Sequence, residues 1–411
     1  MSEELPAEIT ALLEEIDEFI RTEIGPLEEE GDNARFFDHR REYARTDFAG
    51  GGRPSAEWQA LLEQMVERAD RAGLWRYGLP EELGGRGGSA FALAVVREHL
   101  NRLGVGLHND PQSEISMIGN FPTVILAHEF GTPAQKELFV EPALRRETGL
   151  AFGLTEPNHG SDATYLETTA RRDGDEWVID GVKRFNSGMH RASHDLIFAR
   201  TSGSPGEPVG ITAFIVPRDA PGLSIDFYWW TFNMPTDHAE VSLRGVRVGD
   251  EAILGELGGG LVLAQRFVHE NRIRQAASSL GAAAFCIDEA VKWARQRTVW
   301  GKPLWHNQGI QFPLAELWTD CELVRGLVRR VAAELDRRHH MDVTHLVAMA
   351  NYRANRLACE AADRAMQTCG GMGYTRHMPF EHIYRHHRRY RITEGSEEVQ
   401  IRNVGYELFR A

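Results

Sequence analysis

Cysteine is scarce in this chain. There are four in 411 residues, Cys286, Cys321, Cys359 and Cys369, and all lie in the C-terminal third. None forms a Cys-x-x-Cys pair, which argues against a zinc site or a redox dithiol and fits a reducing compartment. Three fall in apolar helical patterns and read as packing residues. Basic residues are outnumbered: 46 Lys and Arg face 60 Asp and Glu, for a net charge of −14. That balance argues against general nucleic-acid binding, which needs many cations to neutralise phosphates. No apolar run approaches membrane-spanning length. The acidic start, Met1-Ser-Glu-Glu-Leu-Pro6, is neither a signal nor a transit peptide, so a cytoplasmic location is expected. Gly84-Gly-Arg-Gly-Gly88 lacks the Lys-Ser/Thr of a phosphate loop and reads as a turn.

The length allows two or three domains, and 42% hydrophobic residues suffice for a sizeable core. Helical periodicity predicts helices over residues 6–27, 56–72, 90–104, 113–130 and 133–146. In the second, Leu61, Leu62, Met65 and Ala69 form the apolar face. Residues 31–55 are charged and Gly-rich, with Ala49-Gly-Gly-Gly-Arg-Pro54 as a loop. From 151 the pattern changes to short alternating segments separated by Gly, Pro and Asp, including 196–200, 211–216 and 239–243, which predict an all-β domain. After Gly258-Gly-Gly260 the helical period returns. Ala282, Phe285, Cys286, Ala290, Trp293 and Ala294 fit one helix face. Leu314, Leu317, Trp318, Cys321, Val324, Val328 and Val331 fit another, and a third helix covers about 343–367. Long helices with short joints predict a bundle. The expected domains are 1–150 (all α), 151–255 (β-barrel) and 256–411 (four-helix bundle).

The centre of the reading is Ala151-Phe-Gly-Leu-Thr-Glu-Pro-Asn-His-Gly-Ser-Asp162. An apolar strand runs into turn-formers that free backbone N–H groups for an acceptor. Taken alone it is a strand ending in a loop. A strand at 166–171, a hairpin at Asp173-Gly174, a strand at 176–179, a turn at Asp180-Gly181 and Val182-Lys-Arg-Phe-Asn-Ser-Gly188 follow. Together these resemble the flavin-dependent acyl-CoA dehydrogenases. That family carries T-E-P-x-x-G-S-D, a G-D-x-(aromatic)-V hairpin and G-x-K-x-(aromatic)-x-(Thr/Ser), in this order and spacing.

The resemblance implies a mainly α fold with a central β-barrel domain, an α–β–α architecture of three domains. It also implies FAD. The backbone at Phe152, Leu154 and Thr155, with the Thr155 hydroxyl, would border the flavin. Gly160 and Ser161 would face the pyrophosphate or pantetheine side. Phe185 stands for the usual Trp and Ser187 for the usual Thr. Arg297-Thr-Val-Trp-Gly-Lys302 with Asn307-Gln308 resembles the family's R-x-x-F-G segment and its following Gln. It implies that Arg297, Trp300 and Gln308 serve the FAD of a neighbouring subunit. Gln367-Thr-Cys-Gly-Gly-Met-Gly-Tyr374 resembles the loop that touches the adenosine half across the dimer, giving Gln367, Gly370 and Gly371; its glycines also suit a helix stop.

Ile392-Thr-Glu-Gly-Ser-Glu-Glu-Val-Gln400 resembles the family's Y-E-G-T segment. That implies Glu394 as the base, Gly395 beside the thioester, and Ser396 and Glu398 near FAD. Thr393 replaces the usual aromatic, which implies a wider or more polar acyl pocket. Some members place the base on the first bundle helix. Here that position is Asn271, and Glu270 is one residue off and should face elsewhere. Arg272 fits the substrate-side Arg, and His269 stands where Asp is common. Arg385-His-His-Arg-Arg-Tyr-Arg391 reads as a solvated or subunit-facing helix, the alternative being contact with CoA or FAD phosphates; adjacent His386 and His387 do not suit a metal. The segment Met234–His238 replaces a common Arg-Gly-Ser pattern, with no evident reason.

The implied activity is α,β-dehydrogenation of an acyl-CoA to the trans-2-enoyl-CoA, with an electron-transferring flavoprotein as acceptor, in fatty acid metabolism. Homotetramers, occasionally homodimers, are the family's assemblies. An acyl-CoA oxidase using dioxygen is the enzymatic alternative. A DNA-binding flavoprotein of the same fold is disfavoured by the acidic charge, by the short stretch after Gln400 and by the presence of Glu394. Neither metal nor nucleic acid is expected as a partner, and the acyl group is left open.

Overall fold

Ile9, Leu12, Ile16 and Phe19 recur every three or four residues and form the buried side of α1 (Ala7–Phe19). The helix runs on through a wider turn, Ile20–Ile24, into Gly25–Glu29. In α2 (Ala56–Arg71) the buried face is Trp58, Leu61, Met65, Val66 and Ala69. Trp58 takes the buried place that the helical period assigns to Leu62. The Ser89 hydroxyl caps α3 (Ala90–Arg102), accepting the Ala92 N–H at 3.1 Å. Before it, Gly84–Gly88 is a tight turn as expected: a Cβ on Gly85 would lie 1.9 Å from the Leu79 carbonyl.

This computed structural model describes residues 5–109 and 117–410. The predicted helix 113–130 is therefore described only from Met117, and its regular part is α4 (Pro122–Phe130). The helix predicted over 133–146 is split into α5 (Pro133–Phe139) and a short turn, Glu141–Leu144, where Pro142 cannot continue a ladder. A reciprocal Thr132–Gln135 capping box starts α5.

Eight strands form one mixed sheet. They are β1 (Leu150–Gly153), β2 (Thr169–Asp173), β3 (Glu176–Ser187), β4 (His194–Arg200), β5 (Ile211–Pro217), β6 (Leu223–Tyr228), β7 (His238–Gly249) and β8 (Ile253–Leu254). The order is β8-β5-β4-β1-β3-β7-β6, and β2 also pairs with β3 and β4. β1 meets β3 at Phe152↔Ser187 and runs parallel to β4, whereas β2 meets β3 at 176–180 and touches β4 at Arg200. The two strands thus lie end to end in one slot, and residues 154–168 leave the sheet and re-enter it. Asp180-Gly181, read as a turn, is instead a bulge within the continuous β3. The Thr168 side chain lies where a Cβ of Gly181 would stand.

Three long helices follow: α6 (Gly260–Gln296), α7 (Gln308–Leu335) and α8 (Thr344–Cys369). The chain ends in α9 (Phe380–Tyr390) and α10 (Glu397–Leu408). The succession helices, strands, helices is the expected α–β–α architecture. Alanines 276, 277, 283, 350, 354, 361 and 365 lie in the core of the helices, where small side chains allow close approach. Trp318, placed on the apolar face of α7 by periodicity, is 59% exposed. All four cysteines are free and buried, and burial pushes the Cys321 thiol up to about 12.

Two compact units emerge. The helical one comprises residues 1–45, 56–120 and 271–411. The sheet unit comprises 46–55 and 121–270. Residues 46–55 thus belong with the sheet, and there two unexplained stretches of sequence meet. Gly52 accepts the Thr236 N–H at 2.9 Å, a Cβ on Gly52 would strike Met234, and Phe48 packs on Trp230 at 5.6 Å. The segment 46–55 and the loop 230–236 shape each other.

Candidate active site

In the sheet unit, the excursion 154–168 is held from below by a charged pair with no access to water. Lys183 Nζ donates to Glu156 Oε1 at 2.7 Å and reaches the Leu154 carbonyl at 3.3 Å. Glu156 also accepts the N–H groups of Glu167 and Thr168, the latter at 2.9 Å. One carboxylate therefore ties the start of the loop to its end. Burial works to raise the Glu156 pKa, but Lys183 and the amides overcome it and hold the group below the usual carboxylate range. Burial pulls Lys183 below an ordinary lysine and pushes nearby Asp195 up to about 7; Asn186 donates to Asp195.

A second bulge in β3, between Lys183 and Asn186, turns successive side chains to opposite fates. Lys183 and Asn186 point inward. Phe185 takes φ +55° and stands exposed. Ser187 beside it is exposed too, its hydroxyl 3.0 Å from His238 Nδ1. Phe152 stacks on Phe267 at 3.9 Å, the planes 10° apart. The Arg184 N–H binds the Thr155 carbonyl at 2.8 Å, which anchors the loop's first turn. Among the described residues, the N–H groups of Thr155, Gly160 and Ser161 meet no acceptor. Exposed donors beside an exposed aromatic ring and a hydroxyl fit a planar ligand with polar edges and a phosphate.

In the helical unit, Glu394 sits between α9 and α10 with φ +57°, and Gly395 follows at +87°. Two left-handed residues in succession turn the local carbonyls toward the helices. Arg272 Nε and Nη2 donate to the Glu394 carbonyl at 2.8 and 2.6 Å. Gln400 Nε2 holds the Gly395 carbonyl at 2.8 Å, and Asn355 holds that of Tyr390 at 2.9 Å. The N–H groups of Glu394, Gly395 and Ser396 are left with no acceptor among the described residues. Burial pushes the Glu394 carboxyl up to about 7, against the pull of Arg272, Arg274 and Arg389. Glu394 keeps some accessible surface, so its carboxylate is surrounded by protein yet reachable.

Arg272 is buried, while Asn271 is occupied by Asn120 at 2.9 Å. Glu270 pairs with Arg266 at 3.0 Å. His269 is 1% exposed within α6. Arg297, Trp300 and Gln308 lie on the surface of the helical unit. Trp300 is 93% exposed at the tip of a two-residue hairpin, with φ +47° followed by Gly301 at +77°. Gln367, Gly370 and Gly371 are exposed where α8 ends, and Gly370 at φ +60° does stop the helix. Ser396 is half-buried and Glu398 exposed in the first turn of α10. The expected solvated helix at 385–391 is corrected: His386, His387 and Tyr390 are buried, Arg385 pairs with Glu381 at 2.6 Å, and Arg391 pairs with Glu397 at 2.8 Å. Arg385 and Arg391 are thus matched by acids, and Glu397 lies outside the short window that made the stretch look basic.

Three family models match in series: the acyl-CoA dehydrogenase N-terminal domain over 41–147, the middle domain over 151–246 and the C-terminal domain over 258–409. A 3-(aryl)acrylate reductase of Clostridium sporogenes is 34% identical over 85% of this chain and 90% of its own length. The chain belongs to the acyl-CoA dehydrogenase family. The mitochondrial short-chain specific acyl-CoA dehydrogenase of Mus musculus is 33% identical, covering 84% of this chain and 82% of that one. The solved butyryl-CoA dehydrogenase of Megasphaera elsdenii superposes with a TM-score of 0.80 at 28% identity, each chain covered fully. The protein is accordingly an oxidoreductase of the acyl-CoA dehydrogenase class.

Sequence reasoning passed over Glu156 and Lys183. Both were inside the motifs quoted, and a lysine in an otherwise apolar strand was the available signal. His238, Arg274 and Arg389 left no such mark, because only the fold brings them to Ser187 and Glu394.

Proposed function

We propose that this chain removes two hydrogens across Cα–Cβ of an acyl-CoA, giving the trans-2-enoyl-CoA, with bound FAD. Electrons then pass to an electron-transferring flavoprotein. The observation that carries the reading is the Glu394 turn: a reachable carboxylate with a raised pKa, clamped through its carbonyl and flanked by free N–H groups. When bound, FAD supplies the hydride acceptor that no amino-acid side chain provides. In the sheet unit, Phe152, Leu154, Thr155, Phe185 and Ser187 would border its ring, and Gly160 and Ser161 would offer N–H groups on the phosphate side.

Glu394 takes the α-proton. A thioester α-proton is weakly acidic, so charge developing on the thioester oxygen needs donors fixed in advance. The free N–H of Glu394 is one, held in place because Arg272 grips the carbonyl of the same residue. A carboxyl near 7 is half-ionised at neutral pH and matched to proton abstraction. Arg297, Trp300, Gln308, Gln367, Gly370 and Gly371 are all exposed, which supports their facing the FAD of a second subunit, in a homotetramer or homodimer. Gly395 would lie at the thioester, with Ser396 and Glu398 near FAD.

The test is anaerobic rapid mixing of the yellow protein with acyl-CoAs. Wild type should bleach. Glu394→Gln should keep its flavin and bind acyl-CoA, but bleach ~10²–10⁴-fold more slowly, the usual loss with a general base. Equal rates would remove Glu394 from the reaction. Oxidation of the reduced protein by an electron-transferring flavoprotein, and slowly by air, would separate dehydrogenase from oxidase.

A further inference from the structure

Three arginines act on Glu394, namely Arg272, Arg274 and Arg389, and of these Arg272 and Arg389 form no ion pair among the described residues. Arg272 is 4% exposed; its Nε and Nη2 hold the Glu394 carbonyl, and its Nη1 is enclosed with no partner. Arg389, in the last turn of α9, has an enclosed Nε with no partner. Its Nη2 only reaches Tyr390 Oη at 3.5 Å, and its Cζ lies 5.0 Å from that ring. The Thr393 hydroxyl is a third enclosed group without a partner. Thr393 N–H donates to the Arg389 carbonyl at 2.9 Å, so the two residues are one turn apart and on the same side of it.

The acid these arginines act on is Glu394 itself, and the reaction needs that carboxylate for the proton. An alkyl chain packed here would expel water and leave a cation and a hydroxyl unsatisfied, an arrangement proteins avoid. A carboxylate would accept both: two parallel N–H bonds from a guanidinium and one O–H bond from a threonine. Of the two without an ion pair, Arg272 is committed to a backbone carbonyl, which leaves Arg389.

We propose that the acyl group oxidised by this protein carries its own carboxylate, bound by Arg389 and Thr393, so that the substrate class is the ω-carboxyacyl-CoAs. This rests on the dehydrogenase reading above and names its substrate. It also gives a reason for Thr393: a hydroxyl there completes an anion site.

The experiment compares anaerobic bleaching by ω-carboxyacyl-CoAs of graded length with straight-chain acyl-CoAs of the same carbon number. In wild type, the best carboxylated member should exceed its alkyl partner by at least tenfold in bleaching rate over apparent Kd. Arg389→Met should cut that ratio tenfold or more, Arg389→Lys should recover part of it, and Thr393→Val should lower it several-fold. Flavin content and melting temperature show which variants are folded, and the lysine variant, which keeps the charge, stands in if the methionine variant is not. Alkyl substrates equal to or better than carboxylated ones at every length would overturn the inference while leaving the dehydrogenase intact. So would an unchanged ratio in Arg389→Met. Failure of both series to bleach the flavin would overturn the dehydrogenase reading, and this one with it.

Discussion

Glu394 is costly to keep where it is. Its folded pKa, about 7, lies above the ordinary 4.5, so the native state holds the proton more tightly than the unfolded chain. By linkage, the stability this gives is fully present below pH 4.5 and is lost as pH rises through about 7. Above that, the native state carries a poorly solvated charge. Glu394→Gln has no such charge. Its melting temperature should therefore gain on wild type between pH 5 and pH 8, while bleaching by wild type should rise with pH through the same region and then level. A melting-temperature difference that stays flat across that range would mean that the carboxylate is not desolvated. At this scale the sequence said much. Glu394, Gly395 and Arg272 were legible because each sits in a fixed string of neighbours. Arg389 and Arg274 were not, because proximity to Glu394 is a property of folded helices and not of spacing along the chain.

Among the elements, the 154–168 loop depends most on a single contact. Glu156 collects Lys183 and two N–H groups at once. Lys183→Met should cost ~3–5 kcal/mol, because it leaves a buried carboxylate without its cation. Adding Glu156→Gln should recover part of that loss, since the amide oxygen still accepts N–H bonds and the stranded charge is gone. Urea denaturation midpoints of the single and double variants check this; a double variant no better than Lys183→Met would mean that the pair's charges do not matter. Element type was largely readable from sequence, since periods of two and of 3.6 are strong signals. What failed has local causes: Asp180-Gly181 reads as a turn but serves as a bulge, and Trp318 follows the apolar period yet faces outward. Residues 46–55 gave no pattern, because their partner, the loop at 230–236, is far away along the chain.

For the whole molecule, the exposed FAD-motif residues on the helical unit are the informative surface. Arg297→Ala should loosen FAD and lower the mass in solution, because a charge-assisted contact worth ~1.5–3 kcal/mol would be lost across a subunit boundary. Gel filtration with light scattering, and flavin retained after dialysis, read both effects. Unchanged mass and unchanged retention would assign Arg297 to the surface only. Fold order and domain succession were legible across most of the chain, yet the assignment of 46–55 and 121–149 to the sheet unit was not, since contact between distant segments leaves little periodic trace. β1 and β2 lie end to end in a single slot, each bonded to the same two neighbours. A chain severed within the loop between them would keep both fresh ends seated in the sheet. The severed halves would then have reason to stay together and, when made as separate polypeptides, to find each other again.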